Sequence, residues 1–167
     1  METYTTRVAM PDDSVSVEAL LNASYPTLMA STYKPAVLAP VLELITKANK
    51  SLLESGTYYL AEAHDGSIIG CGGWTLEKPP GSNDIMRSTG HLRHFATHPD
   101  WIRRGIGRTI YRQCEAEARA ANVQNLEVYA SLNGEAFYAA MGFERIRTIA
   151  VPIGPTSFPG VLMRRAI

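Results

Sequence analysis

Apolar residues in the N-terminal third of the chain recur every three or four positions, a spacing that places them on one face of a helix. A first helix is predicted to begin at Asp13 or Ser14, because both residue types favour helix starts, and to be broken at the dipeptide Tyr25-Pro26. A second helix is predicted over residues 35–53. The N-terminal region therefore supplies two amphipathic helices.

Runs rich in β-branched and aromatic residues predict the strands of a sheet. Two of these runs are joined by His64, Asp65 and Gly66, which together are typical of a hairpin turn. Loops are predicted over 78–83 and 152–160, where proline and glycine are frequent. The predicted strands are 5–9, 57–63, 67–76, 90–98, 124–130, 147–151 and 161–165.

A basic turn follows the predicted strand 90–98 and precedes a helix whose apolar residues stand four apart. Gly105 and Gly107 let the backbone turn tightly, and the free N–H groups of the helix's first turn favour an anion. No acidic residue lies between Trp101 and Cys114, whereas four arginines lie in and after the turn: Arg103, Arg104, Arg108 and Arg112. This combination predicts a ligand that carries phosphate.

Two common nucleotide motifs do not fit this turn. A dinucleotide fingerprint needs a third glycine where the chain has Ile110, and a mononucleotide loop needs Gly-Lys-Ser/Thr where Gly107 is followed by Arg108 and Thr109. A plain strand-to-helix connection with solvated arginines stays open as an interpretation of the turn taken alone.

A second segment, 131–143, follows the strand-like run 126–130. Taken with the glycine turn, it resembles the GNAT superfamily of acetyl-CoA-dependent N-acetyltransferases, whose pattern ends in Phe-Tyr-x-x-x-Gly-Phe. The chain departs from the pattern at Ile102, where Gln or Arg is frequent, and at Ser131, where many members have Asn. The matching residues, in order, are Gly105, Gly107, Phe137, Tyr138, Gly142 and Phe143.

The resemblance implies an α/β (α+β) fold over one domain, residues 1–167. Its central mixed sheet would have six to seven strands with helices on both faces, and its fourth and fifth strands, here 90–98 and 124–130, would splay apart. Acetyl-CoA, as co-substrate, would place its pantetheine arm in that gap. The two N-terminal helices and the loop 79–87 would then shape the acceptor pocket.

The same resemblance implies which residues contact acetyl-CoA. The arm would pair with backbone groups near Phe95, Ala96 and Thr97, and the pyrophosphate would lie on the glycine turn. Asn133 is the asparagine nearest to the family position, although asparagine also favours a role as a helix cap. The turn residues implied are Arg103, Arg104, Gly105, Ile106, Gly107 and Arg108.

Acyl transfer to an amine needs a group that accepts the amine's proton and one that protonates the departing sulfur. Tyr138 matches the family tyrosine assigned to the sulfur. His91 lies where some members have a catalytic histidine, and Glu77, His94 or a chain of waters are alternatives for the base. Strand alternation predicts His91 and Arg93 on one face of the strand and His94 and His98 on the other, which argues against a metal site.

Composition and charge bear on the partners and the cellular location of the protein. The 167 residues carry no net charge, so nothing overall favours nucleic acid or an acidic membrane as a partner. Cys71 and Cys114 lack a paired spacing and fit buried positions, and the N-terminus has no signal-peptide pattern, so a cytoplasmic location is predicted.

Two functions are compatible with these residues. The first is transfer of an acetyl group from acetyl-CoA to a primary amine of a small molecule or peptide, by direct attack in a ternary complex without a metal. The second is a non-catalytic acyl-CoA-binding regulatory module. By analogy with the family, the strand-rich C-terminus is compatible with a homodimer.

Overall fold

A computed structural model describes residues 3–79 and 82–167, with only the backbone described for 82–84. The helices in this part of the chain are α1 (Ser14–Met29), α2 (Pro35–Ile45), α3 (Lys50–Glu54), α4 (Ile106–Ala120) and α5 (Glu135–Ala140). The strands are β1 (Tyr4–Val8), β2 (Tyr58–Ala63), β3 (Ile68–Thr75), β4 (Glu77–Lys78), β5 (Ser82–Ile85), β6 (Thr89–Thr97), β7 (Asn125–Ser131), β8 (Glu144–Ile153) and β9 (Thr156–Ala166).

Seven strands form one mixed sheet in the order β1-β2-β3-β6-β7-β9-β8, and β4 pairs with β5 in a separate hairpin. The pairing of β6 with β7 is parallel, whereas every other neighbouring pair in the sheet is antiparallel. A parallel pair needs a long crossover connection, and α4 supplies it. The fold predicted from the resemblance, a mixed sheet with helices, is confirmed.

Helices cover both faces of the sheet because each has one apolar side. On α4 the predicted face is confirmed, since its four members are fully buried against β2, β3, β6 and β7: Ile106, Ile110, Cys114 and Ala118. On the opposite face, α1 buries Val17, Leu20 and Leu21 against β2 and β3. The sheet is thus the middle layer of three.

The parallel pair β6–β7 is short, and this opens the sheet. Thr89 to His91 pair with Asn125 to Glu127, after which β6 continues beside β3 and β7 continues beside β9. Beyond His91, the edge of β6 that faces β7 has no strand partner among the described residues. Backbone groups on such an edge need another hydrogen-bond partner, so the predicted gap between these strands can receive an amide-bearing ligand.

A β-bulge in β6 lies at the gap. The register between β3 and β6 shifts between Cys71 and Gly73, so that Gly72 stands opposite both His94 and Phe95, and His94 has a φ of 55°. A Cβ on Gly72 would lie 2.8 Å from ring atoms of Phe95. The bulge therefore depends on a residue without a side chain in the neighbouring strand.

Two helix predictions were wrong in their bounds. Helix α1 continues through Pro26 to Met29, because burial of Ser24 before the proline and of Met29 after it compensates for the backbone bond that the proline removes. The helix predicted over 35–53 is two helices, since Asn49 accepts a hydrogen bond from the backbone N–H of Leu52 at 3.2 Å and starts α3 afresh.

Two loop predictions also need correction. Instead of a loop over 152–160, β8 and β9 form a long hairpin that turns at Gly154, with a φ of 56°. Pro152 is tolerated because β8 is an edge strand, and Pro159 because β7 pairs with β9 only from Gly160 onward. The loop predicted over 78–83 is flanked by β4 and β5, and residues 80 and 81 lie outside the described residues.

Substituting Gly72 should test what holds the bulge. Gly72→Ala should lower the free energy of unfolding by about 1–3 kcal/mol, because the new methyl group overlaps the Phe95 ring. The substitution is made in the wild-type chain and in the Phe95→Ala variant. Urea denaturation then measures how much Gly72→Ala lowers the free energy of unfolding in each. An equal cost in both would show that the ring is not responsible.

Candidate active site

The basic turn has the backbone of an anion-binding loop. Gly105 has a φ of 79° and precedes the first residue of α4, so the N–H groups of that helix's first turn open toward the loop. Gly107 has a different constraint, because a Cβ there would stand 3.0 Å from two ring carbons of Phe137. One glycine permits the turn, and the other lets α5 pack against α4.

The predicted cofactor residues come together around a groove of about 750 Å³. One wall is the turn and the start of α4, a second is the end of β6, and a third is the segment 131–141. The predicted residues that line it are Phe95, Ala96, Thr97, Arg103, Gly105, Ile106, Gly107, Arg108 and Asn133. Arg104 is set apart, since its guanidinium lies over the Trp101 ring, 4.6 Å from the centroid.

Asn133 is not a helix cap. The N-cap of α5 is Gly134, which has no side-chain cap hydrogen bond, and Asn133 lies within the preceding turn 132–134. Asn133 and Ser131 both line the groove. Of the two interpretations left open by the sequence, the helix cap is therefore wrong, and the cofactor contact stays a prediction.

A second cavity, of about 180 Å³, lies on the other side of the gap between β6 and β7. It is bounded by α1, α2 and the hairpin of β8 and β9. Five residues line both this cavity and the groove: Tyr25, Met29, Phe95, Ser131 and Tyr138. The two spaces thus meet where the strands part, which is the arrangement that a two-substrate reaction needs.

Tyr138 lies at this meeting point. Its ring is 7% exposed and packs edge-on against Phe137 and Phe143, at centroid distances of 5.0 and 5.8 Å. Burial raises the pKa of the Tyr138 phenol well above its usual value near 10. The phenol therefore keeps its proton at neutral pH and remains a hydrogen-bond donor.

His91 is buried within the sheet. It is 2% exposed, stands beside Glu127 in the last pair that joins β6 to β7, and lines neither of the two cavities described above. Among the described residues, its Nδ1 is buried without a hydrogen-bond partner. Burial lowers the pKa of His91, and the nearby Glu127 carboxylate opposes that shift.

His94 does not follow the simple alternation along β6. Because of the bulge, its ring faces α1 and α2, near Tyr25 at a centroid distance of 5.8 Å, and it lines the second cavity. The backbone carbonyl of Ile45 lies 3.0 Å from Nε2 and can only accept, so Nε2 donates and Nδ1 carries the lone pair. Burial lowers the pKa of His94, which favours the neutral ring.

Tyr25 was missed in the sequence as a site residue. Its hydroxyl donates to the carbonyl oxygen of Phe95 at 3.0 Å, which ties α1 to the bulge, and burial raises its pKa. The signal lay in the helical spacing, since Tyr25 and Met29 stand four and eight residues after Leu21. The expected helix break at Pro26 hid that continuation.

The described residues include neither a cluster of metal-binding side chains nor a helix that could span a membrane. No three His, Cys, Asp or Glu side chains in that part of the chain are grouped closely enough to hold a metal ion. The same part of the chain contains no helix that combines the length and the apolar character needed to cross a membrane.

Comparison with known proteins identifies the family. A family model described as an acetyltransferase (GNAT) domain matches residues 54–145, more than half of the chain. The chain belongs to this family, and it is an acyltransferase that uses coenzyme A as the acyl carrier. No curated protein matches the sequence in a direct search.

Solved structures share this fold at low sequence identity. PaiA N-acetyltransferase from Thermoplasma acidophilum, in complex with coenzyme A, is 16% identical with a TM-score of 0.74, and the match covers 99% of each chain. A GCN5-related N-acetyltransferase from Rhodopseudomonas palustris is 22% identical with a TM-score of 0.75, over 100% of this chain and 98% of that one. Rv2747 from Mycobacterium tuberculosis, in complex with CoA and NLQ, is 19% identical with a TM-score of 0.65, over 98% and 99%. These matches show a shared fold.

The titration of His94 should reflect its burial. Its ring should stay neutral until the pH falls below 6.5, as followed by NMR of the ring protons and assigned by their loss in His94→Gln. Since the unfolded chain then binds the proton more readily than the folded chain, the free energy of unfolding should decrease as the pH falls through this range. His94→Gln should weaken that dependence, and an unchanged slope would contradict it.

Proposed function

We propose that residues 1–167 form one cytoplasmic N-acetyltransferase domain, which transfers an acetyl group from acetyl-CoA to a primary amine of a small molecule or peptide. Direct attack takes place in a ternary complex. The observation that carries this proposal is the junction of the groove and the second cavity beside Tyr138. Each substrate has its own entrance there, and the reacting atoms meet in the gap between β6 and β7.

The groove fits the chemistry of acetyl-CoA. Its phosphates are held by the first turn of α4, together with the guanidinium groups of Arg103 and Arg108. The amides of its pantetheine arm pair with the open edge of β6 near Phe95, Ala96 and Thr97. Asn133 contributes a further polar contact along the arm. Acetyl-CoA supplies the acetyl group as a thioester.

Different groups around the junction carry out the separate steps of acetyl transfer. A backbone N–H near Ala96 or Thr97 stabilises the negative charge that develops on the carbonyl oxygen. The amine nitrogen forms a bond to the carbonyl carbon, the carbon–sulfur bond breaks, and the electron pair leaves with the sulfur. Tyr138 donates its phenolic proton to that sulfur, a role that its burial and its protonated state support.

His94 is the best-supported acceptor for the amine's proton. It lines the second cavity, and the bond from Nε2 to the Ile45 carbonyl leaves Nδ1 as the basic nitrogen. His91, predicted as the base from its position in the strand, remains the alternative because its buried Nδ1 is free to accept. A proton would have to reach His91 through the end of the gap, beside Glu127.

Two variants separate cofactor binding from chemistry. Gly107→Trp should abolish acetyl-CoA binding in calorimetry, because the indole would collide with Phe137 and close the groove. Tyr138→Phe should bind acetyl-CoA normally but lower kcat by roughly 100-fold, the usual contribution of a general acid. Thiol release measures kcat.

Each variant serves as a control for the other. Normal acetyl-CoA affinity in folded Gly107→Trp would contradict the assignment of the groove. Unchanged kcat in Tyr138→Phe would remove Tyr138 from the acid role without affecting the groove.

The base is identified by the pH dependence of kcat/KM. His94→Gln should lower kcat/KM by roughly 100-fold and remove the acidic limb, which in the wild type should lie below pH 6.5 because burial lowers the pKa of His94. His91→Gln, measured in parallel, should keep that limb. Loss of the limb in His91→Gln alone would assign the base to His91.

A further inference from the structure

The second cavity carries information about the acceptor. Most of its lining is apolar, and no Asp, Glu, Lys or Arg is among the described residues that line it. The apolar side chains come from six elements, which are α1, α2, the two parting strands β6 and β7, and the hairpin strands β8 and β9. They include Met29, Ile45, Leu92, Val128, Val151 and Phe158.

Two polar side chains of this cavity are occupied by the protein itself. Tyr25 donates its hydroxyl to the Phe95 carbonyl, and His94 donates Nε2–H to the Ile45 carbonyl. A second charged group on an acceptor would therefore lose its water without gaining an ionic partner in the cavity. An acceptor with several charges, such as a polyamine, is disfavoured by this lining.

The walls of the second cavity are also braced from outside by Tyr33. The Tyr33 hydroxyl accepts from the backbone N–H of Leu132 and donates to the Pro159 carbonyl, both at 2.7 Å. Its ring stacks on Phe158 with 4.3 Å between centroids. One side chain thus joins the segment after α1 to the turn that follows β7 and to β9.

The volume of the second cavity indicates the size of the apolar group on the acceptor. An apolar protein cavity of about 150 Å³ holds one benzene molecule. The space here is about 180 Å³ and also has to receive the amine itself. One six-membered ring or one branched chain of similar bulk matches this volume.

We propose that the acceptor is a primary monoamine that carries one compact apolar group, either a single ring or a branched alkyl chain. This inference rests on the proposed acetyl transfer and specifies its substrate class. Recognition comes from burial of the apolar group. Removal of water also favours the neutral amine, which is the nucleophilic form.

A panel of amines tests the class. With acetyl-CoA, thiol release should give kcat/KM values for benzylamine and 3-methylbutylamine at least about tenfold above those for 1,4-diaminobutane and Nα-acetyl-lysine. A preference for the diamine or the lysine derivative would overturn the inference but leave acetyl transfer standing. Acetyl-CoA binding without thiol release from either monoamine would also overturn it. Failure to bind acetyl-CoA would instead contradict the proposed function.

Two variants on β8 test whether the acceptor binds in the second cavity. Val151 lines the cavity beside its cross-strand partner Phe158, whereas Ala150 is exposed on the same strand. Val151→Phe should raise KM for benzylamine by about tenfold and leave the affinity for acetyl-CoA unchanged, because it fills only the acceptor space. Ala150→Phe adds the same ring outside and should change neither. Equal effects of both variants, or no effect of Val151→Phe in a protein that still binds acetyl-CoA, would show that the acceptor lies elsewhere.

Discussion

The parting of β6 from β7 is the constraint on which the rest of the molecule depends. The two strands pair over three residues each and then follow different neighbours, β3 on one side and β9 on the other. A sheet that opens in this way exposes backbone groups that must be satisfied. It also makes a passage between the two faces, and both cavities are ends of that passage.

The bulge converts this passage into a chemical site. In a regular strand, His94 would face α4, but its positive φ brings it to the side of α1 and α2. The same irregularity leaves Phe95 packed against the rings of Phe137 and Tyr138 on the opposite side. The bulge thus places the His94 ring at the second cavity and the Phe95 ring at the groove.

The sequence predicted the structure correctly where residues close together along the chain determine it. The helical face of α4, the hairpin at Gly66 and the order of the seven strands of the main sheet along the chain depend on periodicity and turn chemistry, and these were confirmed. The bulge was not predicted because it needs Gly72 in a neighbouring strand, and no periodic pattern within β6 reports a pairing partner. The role of Tyr25 was missed because a proline usually ends a helix, whereas packing in the folded chain carried α1 onward.

Charge is distributed unequally between the two ends of the passage. Arginine side chains line the groove, whereas no Asp, Glu, Lys or Arg is among the described residues that line the second cavity. The net charge of zero conceals this difference, since it averages a basic turn with acidic residues elsewhere. The arginines therefore lie at the groove and are not among the described residues that line the second cavity. A proton leaves a buried ammonium more readily than a solvated one, so an uncharged cavity lining favours the neutral form of any amine that is bound there.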